Sequence, residues 1–226
     1  MIKQYSQFAI FLLFLSMTSC LSINSLQDGK TLGESNVEIG VNGDFTGLTD
    51  LFFDNNASWL LLEGFVRAGV SERLDIGIKA NYTGFIAMNT KYQIVGNQSS
   101  TFASSIGLEM GINLFSFEET NYYGLLTSYN SFSLFENNLH FIFSPKYAFH
   151  SKDDLLDNPQ RNILGLSYGI LIGDQTRVGI ENTHFSVFNG INTPTYVSQY
   201  SFCVTYRLNQ TSVKEGYRRS RFRLLR

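Results

Sequence analysis

The chain has three histidines and two cysteines, so few residues could perform covalent chemistry. His184 and Ser186 stand two positions apart, with Phe185 between them. On a strand, such positions share a face. Ser186 could then act as a nucleophile with His184 as its base, given a third group to orient the imidazole. Asn182, on the same face, is the nearby candidate for that role. The plainer reading of the pair is two polar side chains at the edge of an amphipathic strand. Cys203 reads as a small buried residue. His150, Asp153 and Asp154 fall in a polar stretch that reads as a solvated loop. No Cys/His group has metal-ligand spacing, and no cofactor is expected.

Any such pair must be positioned by strands. Residues 58–82, SWLLLEGFVRAGVSERLDIGIKANY, read as two strands and a tight turn. Leu60, Leu62, Val66 and Val70 alternate with Glu63 and Arg67 on the first arm. Leu74, Ile76 and Ile78 alternate with Asp75 and Lys79 on the second. One face is thus apolar and the other charged. Matching the apolar faces pairs Val70 with Leu74 and leaves residues 71–73 as a three-residue turn.

The same alternation continues along most of the 226 residues. Charged residues are 16% and aromatics 15%, with no apolar run of the roughly 20 residues that a membrane helix needs. The net charge of -2 gives no reason to expect nucleic-acid binding. The fold class expected is all-β, an antiparallel transmembrane β-barrel of about ten strands, with eight as the alternative. Strands fall at 35–43, 58–70, 74–82, 85–95, 101–114, 121–132, 139–149, 162–172, 176–188 and 196–208. The phase of 121–132 is not evident, and Pro145 removes a ladder donor from its strand. The soluble alternative is a lipocalin-like barrel with the apolar phase turned inward around a ligand. Aromatics near strand ends (Tyr82, Tyr92, Phe149, Phe188, Tyr196) favour the membrane.

Loop lengths orient the barrel. Residues 44–57, 115–120, 150–161 and 189–195 are long connections, and 71–73 and 173–175 are tight. Long loops belong outside and short turns in the periplasm. The break at Thr83 and Gly84 is the exception, and the count of ten depends on it. On the charged phase, Glu38, Glu63, Asp75, Glu109 and Glu181 oppose Arg67, Lys79, Lys91, Lys146, Arg177 and Arg207. Five acids against six bases should pair and fill a lumen little wider than side chains can close. A single-sign lining would have suggested an ion-selective pore. A small-solute channel is therefore the second alternative.

Residues 1–19, with the apolar run FAIFLLFL, read as a signal peptide. The small residues Thr18 and Ser19 before Cys20 resemble a bacterial lipobox, which implies cleavage and diacylation at Cys20. Residues 20–34 then read as a lipidated tether, 35–208 as the barrel and 209–226 as a basic periplasmic tail. The last thirteen residues, KEGYRRSRFRLLR, carry six basic groups and one acid, suited to anionic head groups or an acidic partner.

In general layout the chain resembles small outer-membrane β-barrel lipoproteins of diderm bacteria. The resemblance rests on residues 17–20, on LQDGKTLGESNVEIG leading into the first strand, and on hairpins such as GVSERLDIG. It implies an outer-membrane location with lipid contacts, periplasmic anchoring through Cys20, and a structural or interaction role in an envelope assembly. Partners would meet the outer loops or the basic tail. His184-Phe185-Ser186 also resembles the His-x-Ser of lipid A deacylases and outer-membrane phospholipases, although Val187 stands where the deacylases have Asn. That resemblance implies, as the alternative function, a lipid esterase using Ser186 and His184.

Overall fold

The computed structural model describes residues 26–47, 58–114, 121–135, 138–152, 161–188 and 195–209. Ten antiparallel strands close into one barrel: β1 (Asn36–Gly47), β2 (Ser58–Ser71), β3 (Leu74–Asn81), β4 (Phe85–Val95), β5 (Phe102–Asn113), β6 (Asn121–Leu134), β7 (Leu139–Lys152), β8 (Arg161–Ile172), β9 (Thr176–Phe188) and β10 (Thr195–Asn209). Each strand pairs with its sequence neighbours, and β1 closes on β10 from Asn36↔Asn209 to Gly47↔Ser198. Closure leaves no sheet edge with unpaired backbone groups.

The break that decided between ten strands and eight is a true turn. Ala80 pairs with Ile86 across it. Asn81 Oδ1 accepts from the Thr83 and Phe85 backbone N–H groups at 3.0 and 3.1 Å. Gly84 takes φ +83°, a left-handed conformation that a side chain would strain. The turn after β2 differs from the expected three-residue form. Ser71 pairs with Leu74 and Gly69 with Asp75, so Val70 is the extra residue of a bulge and only two residues turn. The bulge keeps Val70 on the outer face, 50% exposed, and preserves the apolar phase on both arms.

Two strands run three or more residues further than their patterns suggested. β1 continues through Asp44 to Gly47, and β7 continues past Phe149 to Lys152, with His150 opposite Arg161. The backbone ladder extends the strands where side-chain alternation fades. In β6 both faces carry apolar and polar residues, which hid its phase. Tyr123, Leu125, Thr127 and Tyr129 point inward, and Tyr122, Leu126 and Phe132 point outward. Pro145 lies on the outer face of β7, where the β6–β7 pairing skips from Thr127↔Lys146 to Asn130↔Phe143. The missing donor is thus accommodated by a gap in one ladder.

Inside and outside are inverted relative to a soluble barrel. Outward positions include Met88 at 70%, Ile180 at 58% and Val41 at 52% exposure. Inward positions bury the charges, and Glu38, Glu63, Arg67, Asp75, Lys79, Lys91, Glu109, Lys146, Arg177 and Glu181 are each under 5% exposed. The long-loop end of the lumen departs from the polar lining expected of the inner phase. There Phe85, Tyr123, Leu125, Ile163, Phe185 and Val197 form a buried apolar cluster, with the Phe85 and Tyr123 rings edge-on at 5.6 Å.

Candidate functional site

The lumen is built in layers. Beneath the apolar cluster, Lys146 Nζ meets Glu181 Oε1 at 2.6 Å. Lys79 Nζ lies 2.7 Å from Glu109 Oε1 and 3.4 Å from Glu63 Oε2, so one ammonium joins two carboxylates across β2, β3 and β5. At the short-turn end, register places Arg67 and Arg207 on either side of Glu38. Arg67 donates to Glu38 Oε1, Arg207 Nε to Oε2 at 2.9 Å, and Arg177 Nη1 lies 3.4 Å from Oε2. Three guanidinium groups around one carboxylate leave uncompensated positive charge, which burial makes costly.

The second carboxylate comes from outside the wall. Residues 26–33 run through the lumen and leave it at the short-turn end. Leu26, Asp28, Lys30, Thr31 and Leu32 are buried. Arg177 Nη2 donates to Asp28 Oδ2 at 2.6 Å, Arg207 Nη2 lies 3.6 Å from the same oxygen, and His140 Nδ1 lies 3.8 Å away. His140 Nδ1 also shares a hydrogen bond with Ser133 Oγ at 2.9 Å. This segment is the described part of the expected tether.

Its backbone is bound along its length. Gly29 N–H donates to Ser131 Oγ at 2.9 Å, and Ser105 Oγ donates to the Gly29 carbonyl at 2.5 Å. Lys91 Nζ donates to the Lys30 carbonyl at 2.6 Å and pairs with Asp75 at 3.4 Å. Thr31 N–H reaches Gln93 Oε1 at 3.1 Å, and Leu32 N–H reaches Asp75 Oδ1 at 2.9 Å. Gln98 Nε2 donates to the Thr31 carbonyl. A buried chain with no ladder of its own needs such partners for its amides. Gly29 passes so close to the Ala103 and Tyr129 carbonyls that any side chain there would collide with backbone.

Leu26 packs on Ile142, Leu171 and Cys203, which gives Cys203 a packing role. With Asp28, Lys30 and Asp44 added to the residues read from the strands, the described lumen holds seven acids and seven bases, Arg207 included. The space beside Gln27, Asn42 and Glu109 is about 20 Å³, room for about one water.

The outer wall carries a separate polar cluster. His184 is exposed on β9, as the phase required, but Ser186 does not partner it among the described hydrogen bonds. His184 Nδ1 meets Ser198 Oγ at 2.9 Å, and Nε2 meets the Tyr168 hydroxyl at 3.1 Å. The reason is strand geometry. Ser198 sits directly opposite His184 on β10, whereas Ser186 is opposite Tyr196 and one pleat further along. Directly opposed side chains are about 5 Å apart at Cβ, and i, i+2 neighbours about 6.6 Å.

No family model and no curated protein matches the sequence. Solved outer-membrane protein structures align with it distantly. An outer membrane channel from Pseudomonas putida F1 aligns at TM-score 0.43 and 7% identity, over 82% of this chain and 100% of that one. Neisserial surface protein A aligns at TM-score 0.39 and 8% identity, over 76% and 95%. The outer membrane protease OmpT from Escherichia coli aligns at TM-score 0.37 and 11% identity, over 83% and 100%. Likeness this distant carries no inference about role, which rests on this chain's own geometry.

Sequence reasoning missed Asp28, Ser198 and Tyr168 as partners. The excess of bases over acids in the strand count was the available signal for Asp28. Ser198 could have been found only from the β9–β10 register. Cys20, the acidic cluster at residues 153 and 154, and the basic tail lie outside the described residues, and so does the His150 side chain.

Proposed function

We propose that this chain is an outer-membrane β-barrel whose lumen is closed by its own N-terminal segment, and that it serves as a structural or interaction subunit of the cell envelope rather than as a pore. The carrying observation is the inversion of the barrel. Charges are buried and paired inside, while an apolar face points outward, with nothing packed on it among the described residues. A lipocalin-like barrel requires the reverse. Among the described residues no helix is long and apolar enough to cross a membrane, which does not bear on a barrel, since a barrel crosses with strands.

Two features support closure over conduction. Ion pairs of both signs span the lumen at successive levels, and residues 26–33 fill its short-turn end. The long connections then face outward and the tight turns face the periplasm, together with the exit of residue 34 and the end of β10. Acylation of Cys20 belongs to the same proposal, and it is constrained. Leu26 stands six positions after Cys20, and six fully extended steps reach about 20 Å. The lipid must therefore anchor within that distance of a residue buried inside the barrel.

The test is to express the full precursor in a diderm host, fractionate the envelope, and follow the protein through alkaline carbonate washing and sucrose flotation. The proposal expects a carbonate-resistant protein in the outer-membrane fraction whose gel mobility changes on boiling. Recovery as a soluble monomer would overturn it. Intact mass of the purified chain reads whether Cys20 begins the mature protein and bears acyl groups.

A further inference from the structure

We infer that Ser198, His184 and Tyr168 form a serine acyl-hydrolase centre on the outer wall, acting on fatty-acyl esters of amphiphiles beside the barrel. The inference rests on the membrane reading above, because it needs the outer wall to face lipid. It places the nucleophile at Ser198, on a different strand from Ser186.

The hydrogen bonds form a chain across three strands. Ser198 Oγ and His184 Nδ1 lie 2.9 Å apart, and His184 Nε2 and the Tyr168 hydroxyl 3.1 Å apart; in the Nε2–H tautomer Ser198 donates to Nδ1 and Nε2–H donates to the Tyr168 oxygen. The Tyr168 and His184 rings lie 5.8 Å apart and tilted by 31°, and the imidazole is held at both nitrogens. This is the arrangement of nucleophile, base and orienting group, with a phenol in the third place.

Beside it lies the place for an acyl chain. A groove of about 560 Å³ runs along the outer wall between Phe45, Ile170, Ile180, Tyr200 and Phe202, and its lining is almost wholly apolar. Tyr168 and Asn182 also line it, so the groove begins where the polar cluster ends. Along β9, Ile180, Asn182 and His184 lead in that order from mid-wall toward the long-loop end. A chain lying in the groove from the apolar band would bring its ester carbonyl toward Ser198 near head-group level. Asn182 lines the groove at the end next to the polar cluster, and its side-chain N–H is the candidate donor to a developing oxyanion. The occupant is an acyl chain of a neighbouring lipid, because an apolar wall facing a bilayer meets acyl chains before anything else.

The reaction balances without a cofactor. Ser198 Oγ attacks the ester carbonyl carbon while its proton passes to His184 Nδ1. The tetrahedral intermediate collapses, the alcohol leaves with the proton from His184, and an acyl-Ser198 ester remains. Water then attacks that ester, gives a proton to His184, and the carboxylic acid departs as Ser198 regains its proton. The net change is ester plus water to acid plus alcohol. Tyr168 is a positioning residue, acting through His184.

The test uses the detergent-folded full chain, with folding checked by the gel-mobility change on boiling. A long-chain fluorophosphonate is added, and the labelled peptide is found by mass spectrometry. The label is expected on Ser198, absent from Ser198→Ala, retained in Ser186→Ala, and slowed about 100-fold or more in His184→Asn, the usual contribution of a general base. Tyr168→Phe should lower kcat for a dodecanoyl ester with KM unchanged, whereas a purely structural loss would disturb folding. Phosphatidylethanolamine vesicles and lipopolysaccharide micelles identify the ester source by the fatty acid released. No label on Ser198 in folded protein, or no release from either lipid, overturns the inference. A chain that fractionates with the outer membrane yet fails these assays refutes this centre and leaves the membrane reading standing.

Discussion

Arg177 Nη2 donates to Asp28 Oδ2 at 2.6 Å, joining the ninth strand to a segment that precedes the first. The two residues are 149 positions apart, and both side chains are 2% exposed. The contact ties residues 26–33 to the wall and balances an arginine cluster that the barrel wall alone leaves positive. It makes residues 26–33 part of the folded body.

Asp28→Ala should therefore destabilise the barrel far more than a loop change would. It strands Arg177 and Arg207 beside each other, with Glu38 as the carboxylate they still share. Breaking a buried pair by removing one partner costs about 3–5 kcal/mol. Urea unfolding in detergent micelles, followed by the gel-mobility change on boiling, reads the shift in midpoint. Asp28→Asn, which keeps the shape and loses the charge, should fall between wild type and alanine.

Gly29→Val should displace the segment without altering any charge. A Cβ at Gly29 would strike the Ala103 and Tyr129 carbonyls, which belong to the rigid ladder and cannot move aside. The expected result is a folded barrel in which residues 26–33 become cleavable by an added protease, while they resist it in wild type. Resistance in both would show that the segment has room to spare.

Lys79 bridges Glu63 and Glu109, so Lys79→Met should be harmful unless both acids change with it. The single substitution leaves two buried carboxylates without their shared cation. The triple substitution Lys79→Met, Glu63→Gln and Glu109→Gln should recover most of the loss, since apolar or neutral replacements of buried ion pairs are often tolerated. Comparing their unfolding midpoints measures the coupling directly.

The outer face offers a depth scale. Met88→Arg and Ile180→Arg put a charge on the exposed apolar band of β4 and β9. If the band meets lipid, each should cost about 2–4 kcal/mol near mid-bilayer, and Tyr196→Arg near a strand end should cost about 0–1. Unfolding measured in phospholipid vesicles distinguishes the two depths. Equal, negligible costs at both depths would mean that water, not lipid, surrounds the wall.

Much of this architecture was legible before the structure. Strand positions and phases followed from alternation, because a barrel with two chemically distinct faces writes its period into the chain. The hidden parts have physical reasons. β6 sets Leu125 beside Leu126, so neither face stands out until the ladder assigns Leu125 to the lumen. The bulge at Val70 moves one residue from turn to strand without changing the face of any neighbour. Residues 26–33 have no period at all. They are held by hydrogen bonds from scattered wall positions, such as Ser131, Gln93 and Asp75, and their polar composition looks the same in water and in a polar lumen. The Ser198–His184 contact depends on cross-strand register, which local sequence does not encode.

The most direct test of the central claim is conductance across a planar lipid bilayer. Wild-type protein should insert, as shown by flotation with vesicles from the same preparation, and pass no steady current over a wide range of voltage. Protein lacking residues 26–33 should give measurable steps. Stable conductance steps from wild type alone, of a size matching an open ten-strand lumen, would contradict closure by the N-terminal segment.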